Sequence, residues 1–511
     1  MYTKSLLAAT IALTLSASAA HADDWLQFGY DSIHSGTNFN EKTLGANNIN
    51  QAILRYRTQV SGINGSGIDG QLLYLNGVNT AAGKKNLLFA VASNGTVLAL
   101  DAANGNVVWS ASQYAVASAT VYSVSTPALD PNRQYLYAMA LQGYVHKYRV
   151  ADGSEVTGGG WPQLVSGKVD VERVSAGLTV GTSGGKNTLY VVTASYNDTG
   201  NYQGHLVSID LASGTQNVFN TLCSNLSVHL NASGTAGVDY CPGFGNGMWS
   251  RGGVAFDPGT NRVYLATGNG PYDANAGGTY WGDSVLALTP NGTGVNGKPL
   301  DSYTPATYDA LADNDADLGS TSPVILAIPG GYYYSHLAMQ IGKDACLRIL
   351  NLDNLSGRGG PGNVGGALQE VGLPTGVDNC ASGGDVVANE VKQQIANWVN
   401  PATGAPWIFV GNKLGLNAYE LTVYGFVPRW TKSALTTSPV IANGVLYYAG
   451  TTPSDASGAK HLVALDPVSG NELRVSPAIA NSLHFQAPTV VDGNVYFVDG
   501  DHYLWNFGLP N

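Results

Sequence analysis

The chain of 511 residues holds 65 glycines, 28 tyrosines and 22 prolines, and 12% of its residues are charged, about half the share of an ordinary soluble domain. Solvent-facing helices consume most Lys, Glu and Arg. A chain this poor in them and rich in Gly, Thr, Val and Tyr is therefore mostly strand and turn, which excludes disorder and coiled coil and makes the fold class all-β. A formal charge of -11 with no clustered Lys or Arg repels phosphate backbones and anionic lipid, so nucleic acid and membrane surfaces are excluded as partners.

The chain opens on a leader pattern. Lys4 precedes an apolar run at 6–15, and small residues lead to Ala20-His21-Ala22, an A-x-A cleavage site. Residues 1–22 are expected to be a signal peptide and 23–511 one repeat-built domain, periplasmic or secreted. No later segment approaches the roughly 18 apolar residues of a membrane span.

A repeat follows. Residues 89–101 read as two strands joined at Asn94-Gly95, a hairpin signal, and related second strands fall at 145–148, 206–210, 285–288, 347–350, 416–419, 462–466 and 503–507. Near the C-terminus the copies superpose: Ser438-Pro439-Val440 through Asn443-Gly444 to Tyr448 matches Ala487-Pro488-Thr489 through Asp492-Gly493 to Phe497. Repeats of about 40 to 50 residues with four short strands each define a β-propeller. The count is eight blades, with seven as the alternative, and strand 53–57 is expected to close the ring by completing the sheet that ends near Phe507. The spacing stretches between Asp210 and Leu288 and between Leu350 and Tyr419, so long loops are inserted there, and loops on a rigid scaffold carry function. Within the second stretch, 395–399 is expected to be a strand.

Four cysteines follow the leader. Of three connectivities, the local one, Cys223 with Cys241 and Cys346 with Cys380, closes the shortest loops and is the expected one. Gly181-Thr182-Ser183-Gly184-Gly185 fits G-x-S-x-G but joins two strands, whereas a nucleophile elbow needs a helix after it. Asp313-Asn314-Asp315-Ala316-Asp317 opens like a calcium loop, yet Leu318 and Val324 stand where an EF-hand requires Gly and Glu. His484, just before Gln486, is expected to be structural or to face the central channel.

Residues 99–109, Ala-Leu-Asp-Ala-Ala-Asn-Gly-Asn-Val-Val-Trp, resemble the tryptophan-docking repeat of pyrroloquinoline-quinone (PQQ) enzymes, with weaker copies at 208–214 and 464–470. The resemblance implies that Trp109 packs between blades and bonds to the next one. The opening Trp25-Leu26-Gln27-Phe28-Gly29, with His34-Ser35-Gly36, is similar to that of secreted PQQ-like propellers, which include quinoprotein dehydrogenases and non-catalytic assembly scaffolds. Three segments resemble quinoprotein active-site segments, in the family's order along the chain. They are 248–269, most like the polyvinyl-alcohol dehydrogenase branch, then 315–319, and 341–344, read as a strand bearing a lysine.

That likeness implies Asp317 as the catalytic base, Trp249 beneath the quinone, Lys343 as its cationic contact, Asn269 as a calcium ligand and, by a looser match, Asp198 as the anionic calcium ligand. A flat quinone with three carboxylates requires an aromatic floor and cationic partners, and a divalent ion polarises its reactive carbonyl. Alcohol oxidation requires a carboxylate to take the hydroxyl proton. The chain departs from the family in lacking an adjacent cysteine pair, an arginine within 119–124 and a CxxCH haem signature, so electrons from a small or polymeric alcohol would pass to a separate acceptor. Each residue also has a plain structural reading: Asn269-Gly270 as a turn, Trp249 as packing, Lys343 as half of an ion pair. Two readings of another class therefore stand beside the dehydrogenase: a propeller scaffold that has lost the cofactor, and a glycan-active propeller.

Overall fold

A computed structural model describes residues 24–510 except 117, 119, 232–236, 331, 375–379, 383–389 and 482–485. The leader 1–22 and His484 lie outside the described residues. Eight antiparallel blades of four strands form the ring, one of them extended at its edge by the parallel strand Thr37–Asn38, and a two-stranded ladder lies outside them; in seven blades the strands follow one another in chain order. The repeated second strands of the sequence are the third strand of each sheet: Val97–Asp101, Tyr144–Arg149, His205–Asp210, Val285–Leu288, Cys346–Asn351, Leu416–Thr422, His461–Leu465 and Tyr503–Gly508. Numbered in that order, they define blades one to eight. These strands read as near-continuous apolar runs because both faces of a blade pack on neighbours; Val97–Asp101 and His461–Leu465 are buried throughout.

The eighth blade takes its outer strand from the other end of the chain. Ile53–Gln59 pairs antiparallel with Tyr503–Gly508, which closes the ring as expected. The Asn443-Gly444 and Asp492-Gly493 turns have positive φ at both positions, 45° and 71°, then 53° and 71°, the geometry that matches strand twist in two-residue hairpins. The expected strand in the second long stretch is present as Ala396–Val399. Both disulfides are the local pairs, Cys223–Cys241 and Cys346–Cys380. The one α-helix among the described residues is Tyr308–Asp313.

The docking repeat works as a clasp. Trp109 Nε1 donates to Val150 O of the next blade at 2.9 Å, and its ring lies on Gly153, where a Cβ would stand 2.5 Å from it. Trp430 repeats this between blades six and seven, donating to Pro467 O at 3.0 Å above Gly470. Tyr56 replaces the indole at the closing junction, its hydroxyl donating to Ala102 O at 2.8 Å.

Residues 25–38 form a strap that the repeat pattern did not announce. First strands of neighbouring blades touch from blade two to five and from six through eight to one, so they ring the axis. The strap serves all eight in turn. Trp25 pairs with Tyr74, and Leu26 O accepts from Leu129 N. Gln27 Oε1 accepts from Val180 N. Ser32, Ile33, Ser35 and Gly36 carbonyls accept from Phe256, Ile325, Asn397 and Ile441, and Asn38 Nδ2 donates to Val490 O. Edge groups that a sheet leaves unpaired at the axis are thereby satisfied by one segment.

Candidate functional site

In an antiparallel four-stranded blade, the second-to-third turn and the link to the next blade emerge on the same face, and the site is built there. Asn197 and Asp198 lie in that turn of blade three, Asn269 in that of blade four and Lys343 in that of blade five; Trp249, Arg251 and Asp317 lie on links between blades. The strap lies beneath, with Phe28 against Gly177 and His34 against Gly252. The exposed tyrosines Tyr333 and Tyr424 fall on hairpins of the opposite face.

A cavity of about 300 Å³ is lined by Trp249, Asp317, Lys343 and Asp198, together with Arg173, Arg251, Asp315 and Lys392. Four of the five residues singled out from sequence thus share one cavity wall. The fifth, Asn269, touches it through hydrogen bonds: its backbone N–H donates to Asp317 Oδ1 at 2.8 Å and its Nδ2 to Asp315 Oδ1 at 3.2 Å. Gly268 makes the approach possible, since a Cβ there would lie 2.1 Å from Asp317 Oδ1 and 2.9 Å from Trp249 Cδ1.

Lys343 is not in a strand, as the sequence reading had it. The strand ends at Gln340, and Lys343 occupies the following turn, tied by its N–H to Asp317 O at 3.1 Å. Its Nζ lies 2.6 Å from Asp317 Oδ2 and 2.7 Å from Asp315 Oδ1. Asp317 is buried, its side chain 6% exposed, whereas that of Asp315 is 70% exposed, so the acidic run is a solvated loop with one carboxylate turned inward. Burial pushes the Asp317 carboxyl above its ordinary range, opposed by the Lys343 charge and the Asn269 N–H. Burial pulls the Lys343 amine down, and the Asp317 and Asp315 carboxylates more than reverse it, so the lysine stays charged.

Trp249 is half-buried with Tyr202 edge-on at 6.0 Å, and the Tyr202 hydroxyl bonds Asp198. Among the described residues no group of three His, Cys, Asp or Glu side chains gathers tightly enough to hold a metal by itself. Asn269 Oδ1, however, is buried without a hydrogen-bond partner, because Asp315 holds the amide with its nitrogen engaged. An orphaned carbonyl oxygen beside a cavity that the Asp198 carboxylate also lines is a hard-cation donor set that a cofactor's own oxygens would complete. The residues present therefore fit a quinone bound with calcium: an indole face, cations for carboxylates, and this oxygen pair.

Sequence reasoning missed Arg173, Arg251 and Lys392. Arg173 lies on Glu172–Arg173, which pairs with Ala194–Ser195 in a small ladder outside the blades, so no repeat pattern marked it.

Comparison with known proteins bears on the fold. A family model described as outer membrane protein assembly factor BamB matches residues 69–236. No curated protein matches the sequence. Among solved structures, a europium-containing methanol dehydrogenase is similar with a TM-score of 0.65 and 13% identity, over 95% of this chain and 98% of that one. Quinohemoprotein alcohol dehydrogenases are similar as well: one from Pseudomonas putida HK5 with a TM-score of 0.62, 14% identity and coverage of 95% and 80%, and one from Comamonas testosteroni with 0.62, 17%, 96% and 81%. The chain is an eight-bladed propeller that matches the assembly-factor family model over 69–236. Its eight blades have the fold of the quinoprotein alcohol dehydrogenases.

Proposed function

We propose that the chain is an exported, calcium- and PQQ-dependent dehydrogenase of alcohols, periplasmic or secreted after removal of 1–22, that passes electrons to a separate acceptor. The observation that carries this reading is the convergence on one cavity of Trp249, Asp317, Lys343 and Asp198, with the orphaned Asn269 oxygen beside them. When bound, the quinone supplies the acceptor for the hydride. Trp249 offers the flat face against which a planar ring packs, and Asn269 and Asp198 are the oxygens for calcium. Asp317 takes the alcohol proton as carbon loses hydride; its carboxylate is fixed by the Asn269 N–H and Lys343 Nζ, so it meets the substrate without rearrangement. The lysine charge opposes the burial that raises the pKa of this acid.

The match of 69–236 to an assembly-factor model favours a second reading, a non-catalytic scaffold. One experiment separates them: reconstitute the purified mature chain with PQQ and calcium and follow quinone absorbance and dye reduction with primary, secondary and polymeric alcohols. Saturable uptake with alcohol-dependent reduction supports the dehydrogenase. Absence of uptake leaves the scaffold.

A further inference from the structure

The cations of the cavity are not equivalent. Lys343 faces Asp317, Arg251 faces Asp69, and Lys392 faces Glu390. Arg173 lines the same cavity and, among the described residues, faces no carboxylate; its Nε donates to Ser175 Oγ at 3.0 Å, and its Nη1 is buried with no hydrogen-bond partner.

The guanidinium is nonetheless held firmly. Its carbon stands 4.6 Å from the centre of the Tyr122 ring and 5.5 Å from that of Tyr196. The backbone beneath is locked: Arg173 pairs with Ala194, and the adjacent Glu172, side chain 1% exposed, lies 3.5 Å from buried Lys168 and accepts from Gln203 N at 2.9 Å. A planar cation held against two adjoining aromatic rings, with an N–H that no protein acceptor uses, is preorganised for a carboxylate, because its ordering cost is met before the ligand arrives.

We infer that Arg173, braced by Tyr122 and Tyr196, is a carboxylate-recognition subsite of this cavity and holds a carboxylate of the bound quinone. This assignment rests on the dehydrogenase reading for the identity of the ligand, and on the geometry alone for its chemistry. It supplies from the link between blades two and three the cation that 119–124 lacks.

The test is calorimetric titration of the wild-type chain, Arg173→Gln and Arg173→Lys with PQQ plus calcium, and separately with pyridine-2,4-dicarboxylate, which carries no quinone. Thermal unfolding of each variant confirms its fold. Arg173→Gln is expected to weaken both ligands about 10- to 100-fold, the loss of a charge-assisted hydrogen bond, and Arg173→Lys to recover only part of this because it keeps the charge without the fork. PQQ trimethyl ester, which has no charged carboxylates, is expected to bind wild type and Arg173→Gln alike. Failure of wild type to take up PQQ, with dicarboxylate binding still weakened by Arg173→Gln, would remove the dehydrogenase reading and leave the carboxylate subsite standing. Equal binding of both ligands by wild type and Arg173→Gln, or binding of neither, overturns the inference.

Discussion

Asp317 is pulled in opposite directions by its surroundings, and the balance sets how it would work as the proposed base. Burial raises its pKa and Lys343, 2.6 Å away, lowers it, with burial the larger. A base acts unprotonated, so kcat/KM of the reconstituted enzyme is expected to rise with pH through a midpoint above the usual carboxylate value of about 3.9. Lys343→Met removes the opposing charge, so that acid limb should move to higher pH; a limb that stays in place would show that Lys343 does not govern this carboxylate. Asp317→Asn should cut kcat by about 100- to 10,000-fold while quinone uptake persists, measured by titration beside turnover. Such a split would separate proton transfer from binding. Asp317, Trp249, Lys343, Asp198 and Asn269 were legible in the sequence because they sit in segments whose order resembles the family's. Arg173 was not, since Val-Asp-Val-Glu-Arg-Val reads as an ordinary strand edge and its aromatic brace comes from distant Tyr122.

The strap at 25–38 has a chemistry of its own. Burial of His34, with its ring nitrogens on Val254 O at 2.7 Å and Phe28 O at 3.3 Å, lowers its pKa to about 4. Burial of Asp31, against the opposing bonds from Ser35, raises its pKa to about 6. The two act on stability with opposite sign. His34 binds its proton more readily unfolded, so its contribution is present above the unfolded value of 6.5 and is lost as pH falls to about 4. Asp31 binds its proton more readily folded, so its contribution is present below 3.8 and is lost as pH rises to about 6. Because the windows overlap, wild-type stability should change little across them. Asp31→Asn should unmask a loss of stability on acidification and His34→Asn a loss on neutralisation, read as slopes of unfolding free energy against pH. Slopes equal to wild type in both variants would contradict the assignment. None of this was visible beforehand, because a strap that serves eight different strands with eight different residues has no period to detect.

The ring as a whole was the most legible level, since blade number and closing strand follow from repetition, and repetition survives divergence that erases individual site residues. It also makes a claim about energetics. Each blade touches only its neighbours, so the clasps Trp109 on Val150, Trp430 on Pro467 and Tyr56 on Ala102 act at separate junctions. Replacing each by Phe removes one hydrogen bond and, for the indoles, some packing, an expected loss of about 1–2 kcal/mol apiece. Sites this far apart with no shared partner add to within about 0.5 kcal/mol, so the triple variant should lose about the sum of the singles in chemical denaturation. A closed ring offers one departure from this rule. Tyr56 lies on Ile53–Gln59, the strand that joins the two ends of the chain, and the pairing of that strand with Tyr503–Gly508 inside the eighth blade is the seam that covalent continuity does not span. If closure is held by that outer strand, Tyr56→Phe should speed opening of the eighth blade alone, seen as faster amide exchange in Tyr503–Gly508, with the Trp109→Phe and Trp430→Phe variants leaving exchange there unchanged. Uniform exchange across all three variants would instead place the weakest junction of the ring elsewhere.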